Sequence, residues 1–443
     1  MPNQLGFQNF MPLEMISTAR KRIAVIGGGI SGMGAAYTLS PHHNVTLFEA
    51  EPRLGGHART VTAGKRGDQP VDTGFLVFNY ANYPNMADLF ADLDVPVVKS
   101  NMSFGASIDG GRLEYGLASL NALFAQRVNA LSPRFLGMVR DILRFNKNAL
   151  RVANADRTRT VGQFLEVLGT GTWFRDYYLL PLSGAIWSTP TEKIMDFPAH
   201  AMIQFFENHA LLGATGQHQW YTVNGGSIQY VRRLEAALLG HGVDIRLGAA
   251  VQSVRRTPAG AQIKAWGGDW EQFDDVVFAT HSDDSLAMLQ DPTPDERAAL
   301  DAVKYQPNDI ILHRDASIMP RHRQTWSSWV YTEDKNAQND RIDLTYWLNS
   351  LQPIPHDDLH FVTLNTKRAI PDEMIYDQTM LRHPVYDLAA LAAQDTVRAM
   401  NGSNNTWFCG AWMRHGFHED GLSSGLDVAR AILEAPTVEV AAA

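Results

Sequence analysis

Two apolar strands flank a helical segment near the start of the chain. Residues 23–26 form a short apolar run typical of a strand buried on both faces, and residues 45–48 have the pattern of a second strand. Between them, a helix is predicted through residues 33–39 and ends near Pro41. This order predicts a strand–helix–strand unit with parallel strands.

The rest of the pattern predicts an amphipathic helix at residues 83–93, another helix at residues 201–212, and several strands. The strands are predicted at 67–79, 95–100, 243–254 (a pair), 276–280, 308–313, 325–331 and 344–349. We expect the last three to share one sheet with an aromatic inward face.

A basic and apolar segment interrupts this pattern at residues 116–160. Its apolar residues recur at helical spacing, and only Asp141 and Asp156 oppose its cations. The cations are Arg127, Arg134, Arg140, Arg144, Lys147, Arg151, Arg157 and Arg159. Two interpretations stay open. The segment is either a helical cap with solvated arginines or an interfacial helix that contacts an anionic membrane.

The composition indicates a globular protein of two or three domains. The chain has 443 residues, of which 45% are hydrophobic, and a net charge of −9 that argues against a nucleic-acid partner. Its single cysteine, Cys409, excludes an internal disulfide and fits a reducing compartment. The first twenty residues read as a leader without a signal-peptide pattern, and no apolar run reaches about 18 residues. These features favour the cytoplasm, with peripheral contact at the inner membrane face under the second interpretation of the basic segment.

A glycine motif follows the first strand directly. Gly27, Gly29 and Gly32 are spaced G-x-G-x-x-G at the start of the predicted helix, and Glu49 ends the second strand about 20 residues later. The glycines permit a tight turn on which a pyrophosphate meets the helix N-terminus, and the carboxylate can accept hydrogen bonds from a ribose. The unit therefore predicts an adenine dinucleotide site.

The next residues, EPRLGGHART, resemble the FAD-binding amine oxidase and phytoene desaturase superfamily, which has R-x-G-G-R-x-x-T/S here. Residues 408–432, FCGAWMRHGFHEDGLSSGLDVARAI, resemble the motif that closes the FAD site in that family. His57 stands where the family has arginine, so either His57 or Arg59 is expected to meet the diphosphate. The resemblance implies one non-covalent FAD, with contacts from Gly27, Gly29, Ile30, Ser31, Gly32, Glu49, Ala50, Arg53, Gly55, Gly56, His57, Arg59, Thr60, Gly74, Phe75, Val251, Gly410, Ala411, Gly421, Leu422 and Gly425.

The resemblance also implies the fold. We expect an α/β protein whose Rossmann-like FAD domain, of the glutathione-reductase and amine-oxidase type, takes residues 20–100, 215–285 and 400–435. A discontinuous α+β substrate domain is expected at 101–214 and 286–399.

Side-chain chemistry is sparse in the sequence. We find no nucleophile signature and no metal cluster at ligand spacing, so no metal is expected. Amine oxidases of the family carry a lysine on a strand that resembles residues 308–314, whereas here His313 stands near that place. The candidate catalytic residues are His313 and Tyr346, and the aromatic substrate wall is predicted from Trp187, Trp326, Trp329 and Trp347.

A narrower resemblance concerns the substrate. The runs YQPNDIILHRDASIMP, TWSSWVY and FVTLNTKRAIP resemble a bacterial subgroup related to the methylated-fatty-acid desaturases of furan fatty acid biosynthesis. This implies a hydrophobic acyl-lipid substrate, hydride transfer to FAD and molecular oxygen as the acceptor. The alternatives are an amine oxidase or a carotenoid- or squalene-type desaturase on the same scaffold, and a non-redox flavoprotein or binding module.

Overall fold

The structure is a computed structural model that describes residues 20–187, 191–213, 216–333 and 341–435. Residues 1–19 of the predicted leader lie outside the described residues. The strands, numbered in chain order, are β1 Arg22–Ile26, β2 Asn44–Phe48, β3 Thr60–Ala63, β4 Gln69–Asp72, β5 Val97–Ser100, β6 Phe104–Ile108, β7 Leu113–Gly116, β8 Trp220–Val223, β9 Asp244–Arg246, β10 Val251–Thr257, β11 Gly260–Ala265, β12 Trp270–Phe273, β13 Asp275–Phe278, β14 Lys304–His313, β15 Trp329–Glu333, β16 Asp343–Trp347, β17 Phe361–Leu364, β18 Ile375–Val385 and β19 Thr406–Phe408.

The helices connect these strands and cover the sheets. They are α1 Ile30–Leu39, α2 Pro84–Asp92, α3 Leu120–Leu123, α4 Pro133–Ala155, α5 Val161–Leu168, α6 Thr172–Phe174, α7 Leu180–Trp187, α8 Thr191–Ile194, α9 Ala199–Asn208, α10 Ile228–Gly240, α11 Ser282–Met288, α12 Pro294–Ala302, α13 Leu348–Leu351, α14 Leu388–Met400 and α15 His418–Glu434. None of the described helices combines the length and the hydropathy needed to cross a bilayer.

A five-stranded parallel sheet in the order β19-β13-β1-β2-β9 contains the predicted strand–helix–strand unit. Ile23 and Val25 of β1 face a core that includes residues of α1, α10 and α15. Ala24 and Ile26 face the other side, where the antiparallel sheet β10-β11-β12 and helices α12 and α14 pack. Burial on both faces is the reason why residues 23–26 of β1 are all apolar.

A seven-stranded mixed sheet in the order β18-β14-β17-β16-β15-β6-β7 forms the second part of the fold. Helices α4 to α9 pack on one face of this sheet, and their apolar side chains share one core with it. We call these helices the helical cap. A small cluster that includes Met319, Val330 and Phe361 covers part of the opposite face.

Several predicted elements differ in extent from the structure. The strand predicted at 67–79 is confined to β4, and the strand predicted at 325–331 begins only at Trp329. Helices α12 and α14 lie in ranges that we assigned to the substrate domain, but they pack beneath the five-stranded sheet. The strand β18 is missing from our predictions.

Candidate functional site

The predicted phosphate turn lies at the carboxyl edge of the five-stranded sheet. Gly27 follows β1, and its N–H donates to Phe48 O at 2.8 Å, at the end of β2. Ala279, which follows β13, donates to Ile26 O at 2.8 Å. Parallel sheets bind ligands at this edge, between the ends of neighbouring strands.

The glycines of the turn have different physical roles. Gly27 has a φ of +109°, which favours glycine, and a side chain at Gly32 would overlap the Gly27 carbonyl oxygen. At Gly29, by contrast, a Cβ atom would meet no other atom within 4 Å. Helix α1 begins at Ile30 without a side-chain cap, so its first N–H groups are available. This open cradle fits a diphosphate.

Glu49 lies beside the turn. Its Oε2 accepts a hydrogen bond from Gly28 N at 2.6 Å, and its Oε1 accepts one from Glu51 N at 2.8 Å. A carboxylate offers about four acceptor positions, so two are left for ribose hydroxyls. Glu49 would therefore stabilise the turn through Gly28 N and, at the same time, accept hydrogen bonds from the ribose. Ala50 follows it at an exposed position.

The second glycine loop lies on top of the first. Gly55 N donates to Gly28 O at 2.8 Å, and a Cβ atom at Gly56 would lie 3.1 Å from the Gly29 Cα. Arg53 braces this loop from within by donating to carbonyl oxygens, at 3.0 Å in the case of Gly56 O. The role of Arg53 is thus to shape the loop.

The two candidates for the diphosphate contact have different surroundings. Arg59 forms a two-pronged ion pair with Asp377 of β18, at 2.6 and 3.0 Å. His57 instead donates its Nε2 hydrogen to Arg382 O at 3.2 Å. Arg382 O takes the one hydrogen of neutral His57, whereas Arg59 has further N–H groups beside the two that Asp377 binds, so Arg59 is the better donor for a diphosphate.

Thr60 belongs to a buried network around Asp72. The Asp72 carboxylate accepts hydrogen bonds from Thr60 Oγ1 at 2.5 Å, from Ser227 N at 2.9 Å and from Gln352 Nε2 at 2.8 Å. Burial raises the pKa of Asp72 to about 6, although these hydrogen bonds oppose the rise. The network joins the FAD-binding part to α13, next to the seven-stranded sheet.

Gly74 and Phe75 meet the C-terminal motif. A side chain at Gly74 would overlap the His57 carbonyl oxygen, which explains the glycine. The Phe75 ring stacks on His418 with 4.2 Å between centroids, and His418 Nε2 lies 2.5 Å from Tyr230 Oη. Burial lowers the pKa of His418 to about 3.

Most of the predicted C-terminal residues are packing residues. Side chains at Gly421 and Gly425 would collide with Ser31 in α1, and Leu422 packs against Gly34 of the same helix. These contacts hold α15 against the phosphate-binding helix. The remaining predicted contacts lie close by: Gly410 has a φ of +153°, Ala411 packs beside Gly421, Ile30 lies against Gly421, and Val251 begins β10 beneath the sheet.

Three histidines form a cluster that the sequence did not indicate. The His57 ring lies 5.8 Å from that of His281 and 5.7 Å from that of His383. Asn308 Nδ2 donates to His383 Nδ1 at 3.1 Å. His57 belongs to the predicted cofactor motif, and the one signal for His281 is that it follows the carboxyl end of β13. His383 lies on β18, and the fold alone brings it to the others.

Burial keeps this cluster uncharged. It lowers the pKa of His57, that of His281 to about 2 and that of His383 to about 3. Nearby, Arg382 pairs with Asp283 at 2.7 Å and with Asp284. His281 and these two carboxylates could surround a cation, but Arg382 already pairs with both carboxylates.

Strand β14 does not place His313 as we predicted. The His313 ring is fully buried, bonds Thr363 Oγ1 through Nε2 at 2.7 Å and packs on Phe361, on the sheet face opposite the helical cap. Burial lowers its pKa to about 4. Lys304, at the start of the strand, pairs with Asp301 and is 63% exposed. Asn308 is the buried polar side chain on the same face as Ile310 and Leu312.

The predicted aromatic wall is divided between the two faces of the sheet. Trp329 and Tyr346 pack edge to face at 5.3 Å on the side of the helical cap. Trp326 and Trp347 pack at 5.4 Å on the opposite side, where Arg323 covers Trp326. A single inward aromatic face is therefore wrong, because neighbouring residues of a strand point to opposite faces.

Trp187 lies in the helical cap and is linked to the C-terminal motif. Its ring lies 5.0 Å from Phe205, and Phe205 stacks on Phe417 with 4.9 Å between centroids. Phe417 directly precedes His418. The cap thus contacts the motif that is predicted to close the FAD site.

Cys409 does not supply a reactive thiolate. It is fully buried after β19, and burial raises its pKa to about 12.

Comparison with known proteins gives a family that fits this geometry. The family profile described as flavin containing amine oxidoreductase matches residues 30–324. Among curated relatives, the mitochondrial protoporphyrinogen oxidase of Nicotiana tabacum is 54% identical over 46 residues, which are 10% of this chain and 9% of that protein. The carotenoid phi-ring synthase of Chlorobaculum tepidum is 38% identical over 92 residues, 20% of this chain and 14% of that protein. These matches therefore span only a small part of either relative.

Solved structures resemble the whole fold. The CLA-producing fatty acid isomerase from P. acnes has a TM-score of 0.67 at 13% identity, over 93% of this chain and 98% of that one. Wild-type putrescine oxidase bound to putrescine has a TM-score of 0.66 at 14% identity, over 94% and 99% of the two chains. They confirm the predicted α/β class.

Proposed function

Because the chain belongs to the family of flavin containing amine oxidoreductases, it is an FAD-dependent oxidoreductase, and we propose that it desaturates a methyl-branched fatty acyl chain held in phospholipid. When bound, FAD would accept a hydride from an allylic carbon and pass the electrons to oxygen, which leaves as hydrogen peroxide. The substrate loses this hydride and one proton and gains a carbon–carbon double bond.

The apolar face of the seven-stranded sheet carries this proposal. The strand side chains that face the helical cap include Ile310, Leu312, Leu344, Val362 and Leu364, all of which are buried against the cap. An acyl chain that enters between the sheet and the cap would meet apolar side chains on both sides, and each methylene it buries there contributes about 0.8 kcal/mol. A cationic amine would instead require carboxylates to offset its desolvation.

The position of Asn308 also supports an uncharged substrate. In the described part of β14, the buried polar side chain facing the cap is an amide, while the lysine of this strand is bound to Asp301 at the surface. The lysine expected of an amine oxidase therefore has no counterpart within β14.

The histidine cluster supplies a proton acceptor. His57 donates its Nε2 hydrogen to a carbonyl group, so its Nδ1 carries the lone pair. Burial lowers the pKa of the ring, so Nδ1 is unprotonated at neutral pH but is a weak base; we propose it as the proton acceptor because it carries the lone pair. Tyr346, on the face toward the cap, is the candidate to orient the chain.

Anaerobic reduction of the bound flavin tests the proposal. The holoprotein is mixed with detergent-dispersed phospholipid that carries a methyl-branched monounsaturated acyl chain. We expect the oxidised flavin band to disappear and the lipid to become two hydrogens lighter by mass spectrometry. Bleaching by putrescine or by an isoprenoid, with no response to the acyl lipid, would assign the protein to one of the alternative classes.

A matched pair of variants tests the proton acceptor. We expect His57→Gln to slow bleaching about 100-fold per bound flavin, because general-base catalysis contributes about this much. His42→Gln, at an exposed loop position, is the control. Equal bleaching rates of the two variants would exclude His57.

A non-redox acyl isomerase is the second candidate, because a fatty acid isomerase shares this fold. An isomerase would change the position of a double bond without changing the mass of the lipid. It would also leave the flavin oxidised at the end of the reaction and produce no peroxide.

A further inference from the structure

We propose that the outward surface of residues 117–151 binds the face of an anionic phospholipid bilayer. We call it the α3–α4 surface; it consists of α3, the following turn and the outer side of α4. The proposal rests on the proposed function in one respect, since it names where an acyl lipid would be collected. Its test, however, requires no turnover.

Exposed apolar side chains are concentrated on this surface. Within the described residues, six of the fourteen large apolar side chains that are exposed lie between residues 117 and 143. They are Leu117, Leu120 (76% exposed), Val128 (70%), Leu131 (83%), Leu136 and Leu143 (61%). Single exposed leucines are ordinary on soluble proteins, but six exposed apolar side chains within 27 residues indicate a contact surface.

Helix α4 has two different apolar faces. Phe135, Met138 and Phe145 are buried in the core that the cap shares with the sheet. On the outer side, Leu136 and Leu143 remain exposed seven residues apart. Packing of the cap therefore explains the inner face and leaves the outer leucines without a structural role.

The charge of this surface identifies its partner. Residues 117–151 contain six cations and one carboxylate, in a chain with a net charge of −9. The six cations are Arg127, Arg134, Arg140, Arg144, Lys147 and Arg151. The carboxylate, Asp141, is buried and accepts from Gly171 N at 2.8 Å, although it also pairs with Arg140 at 3.2 Å.

The other described contacts leave the positive charge uncompensated. Arg144 donates to Gly169 O at 2.7 Å, and Arg127 donates to Asn121 Oδ1 at 2.6 Å. Both acceptors are uncharged. Cations interleaved with exposed leucines match the headgroups and the acyl boundary of an anionic bilayer.

The surface is also close to the predicted substrate wall. Phe206 lies 6.0 Å from Phe145 of α4 and 6.5 Å from Trp187, measured between ring centroids. A single side chain thus separates the inner face of α4 from Trp187. A lipid bound at the α3–α4 surface would lie next to the domain that is proposed to receive its acyl chain.

Sedimentation with vesicles tests the proposal. The holoprotein is mixed with phosphatidylcholine vesicles with or without phosphatidylglycerol. We expect it to sediment with the anionic vesicles at low salt and to be released at high salt. The variant Arg134→Glu/Arg140→Glu/Lys147→Glu should bind these vesicles about 100-fold more weakly, since each of the three cations contributes about fivefold near an anionic surface.

The control carries the same charge change elsewhere. Arg66→Glu/Lys304→Glu/Arg430→Glu alters three cations that are more than half exposed and should leave vesicle binding unchanged. A double variant, Leu131→Ser/Leu143→Ser, should weaken binding without altering its salt dependence.

Three outcomes would overturn the proposal: native protein that stays in the supernatant at low salt, equal loss of binding in both charge variants, or a dimer that dissociates in the first variant without any vesicle binding. The last outcome would assign the surface to a second copy of the chain. If the protein binds vesicles but no acyl lipid bleaches its flavin, the membrane-binding role of the α3–α4 surface is supported and the proposed function is contradicted.

Discussion

Backbone amides determine how the two acidic residues of the candidate site act. Glu49 accepts from Gly28 N and Glu51 N, whereas Asp72 accepts from Ser227 N, a residue far away in the sequence. The role of Glu49 was predictable, because a carboxylate at the end of the second strand has a local spacing rule. The role of Asp72 depends on Ser227 and Gln352, which only the folded chain brings to it.

The histidine cluster likewise could not be predicted from the sequence, because only the folded chain brings its three members together. His57 belongs to a motif, but His281 lies at the start of α11, His383 lies on β18, and no spacing connects them. His313 was favoured because it is near the place of a family lysine. Its side chain points to the opposite face, since neighbouring strand positions alternate.

Replacing Glu49 should empty the flavin site. Glu49→Leu removes charged hydrogen bonds worth about 1.5–3 kcal/mol, which corresponds to FAD binding about 10- to 150-fold weaker. The ratio of flavin to protein absorbance in the purified protein measures this. Glu51→Gln is the control, because Glu51 is exposed and pairs only with Arg53 among the described ion pairs. A fully yellow Glu49→Leu protein would remove Glu49 from the ribose contact.

The buried His313 should make folding stability depend on pH. Unfolded histidine has a pKa of about 6.5, and burial lowers the pKa of folded His313 to about 4. Between these values the unfolded chain binds more protons, so stability is lost as the pH falls. His313→Gln should flatten this slope by up to about 1.4 kcal/mol per pH unit.

Urea unfolding at pH 7, 6 and 5 with saturating FAD measures that slope. The raised pKa of Asp72 acts in the opposite direction, but it is common to both proteins and cancels in their difference. His42→Gln should retain the native slope. Parallel curves for His313→Gln and the native protein would contradict the prediction.

At the scale of elements, the local sequence pattern was sufficient to predict those strands and helices whose own residues determine which face is buried. The strands β1 and β2 follow from their apolar runs. The strand β18 escaped prediction because it is an edge strand of mixed polarity that contains Pro384, which an edge can accommodate. The strand predicted at 325–331 begins late because a short turn occupies Arg323–Thr325.

The contact between α1 and α15 should tolerate no added side chain. The Cβ of Gly425→Ala would overlap the Ser31 carbonyl oxygen, which is backbone and cannot easily move. We expect a loss of about 1–3 kcal/mol in unfolding free energy and lower FAD occupancy. Gly137→Ala, inside α4 with no atom within 4 Å of the added Cβ, should instead gain about 0.5–1 kcal/mol. Thermal unfolding compares them, and equal melting temperatures would contradict this account.

At the scale of the whole molecule, polar contacts connect the five-stranded sheet region to the seven-stranded sheet. Arg59 reaches Asp377 on β18, His57 reaches Arg382 on the same strand, and Asp72 reaches Gln352. Arg59, His57 and Asp72 all belong to the segment that follows Glu49. The resemblance of this segment to a cofactor motif was visible in the sequence, but its contacts across the fold were not, because their partners lie about 280 to 330 residues away.

The Arg59–Asp377 pair should therefore couple the two parts measurably. Both side chains are about one-fifth exposed, and their two hydrogen bonds have good geometry. A double-mutant cycle with Arg59→Ala, Asp377→Ala and the double variant should give a coupling of about 1–3 kcal/mol in denaturant unfolding. The surface pair Arg66–Asp68, which is mostly exposed, should give about 0.5 kcal/mol or less in the same cycle. If the effects of the Arg59 and Asp377 changes simply add, the pair does not couple the two parts. The Asp72 network is then the main polar connection between them.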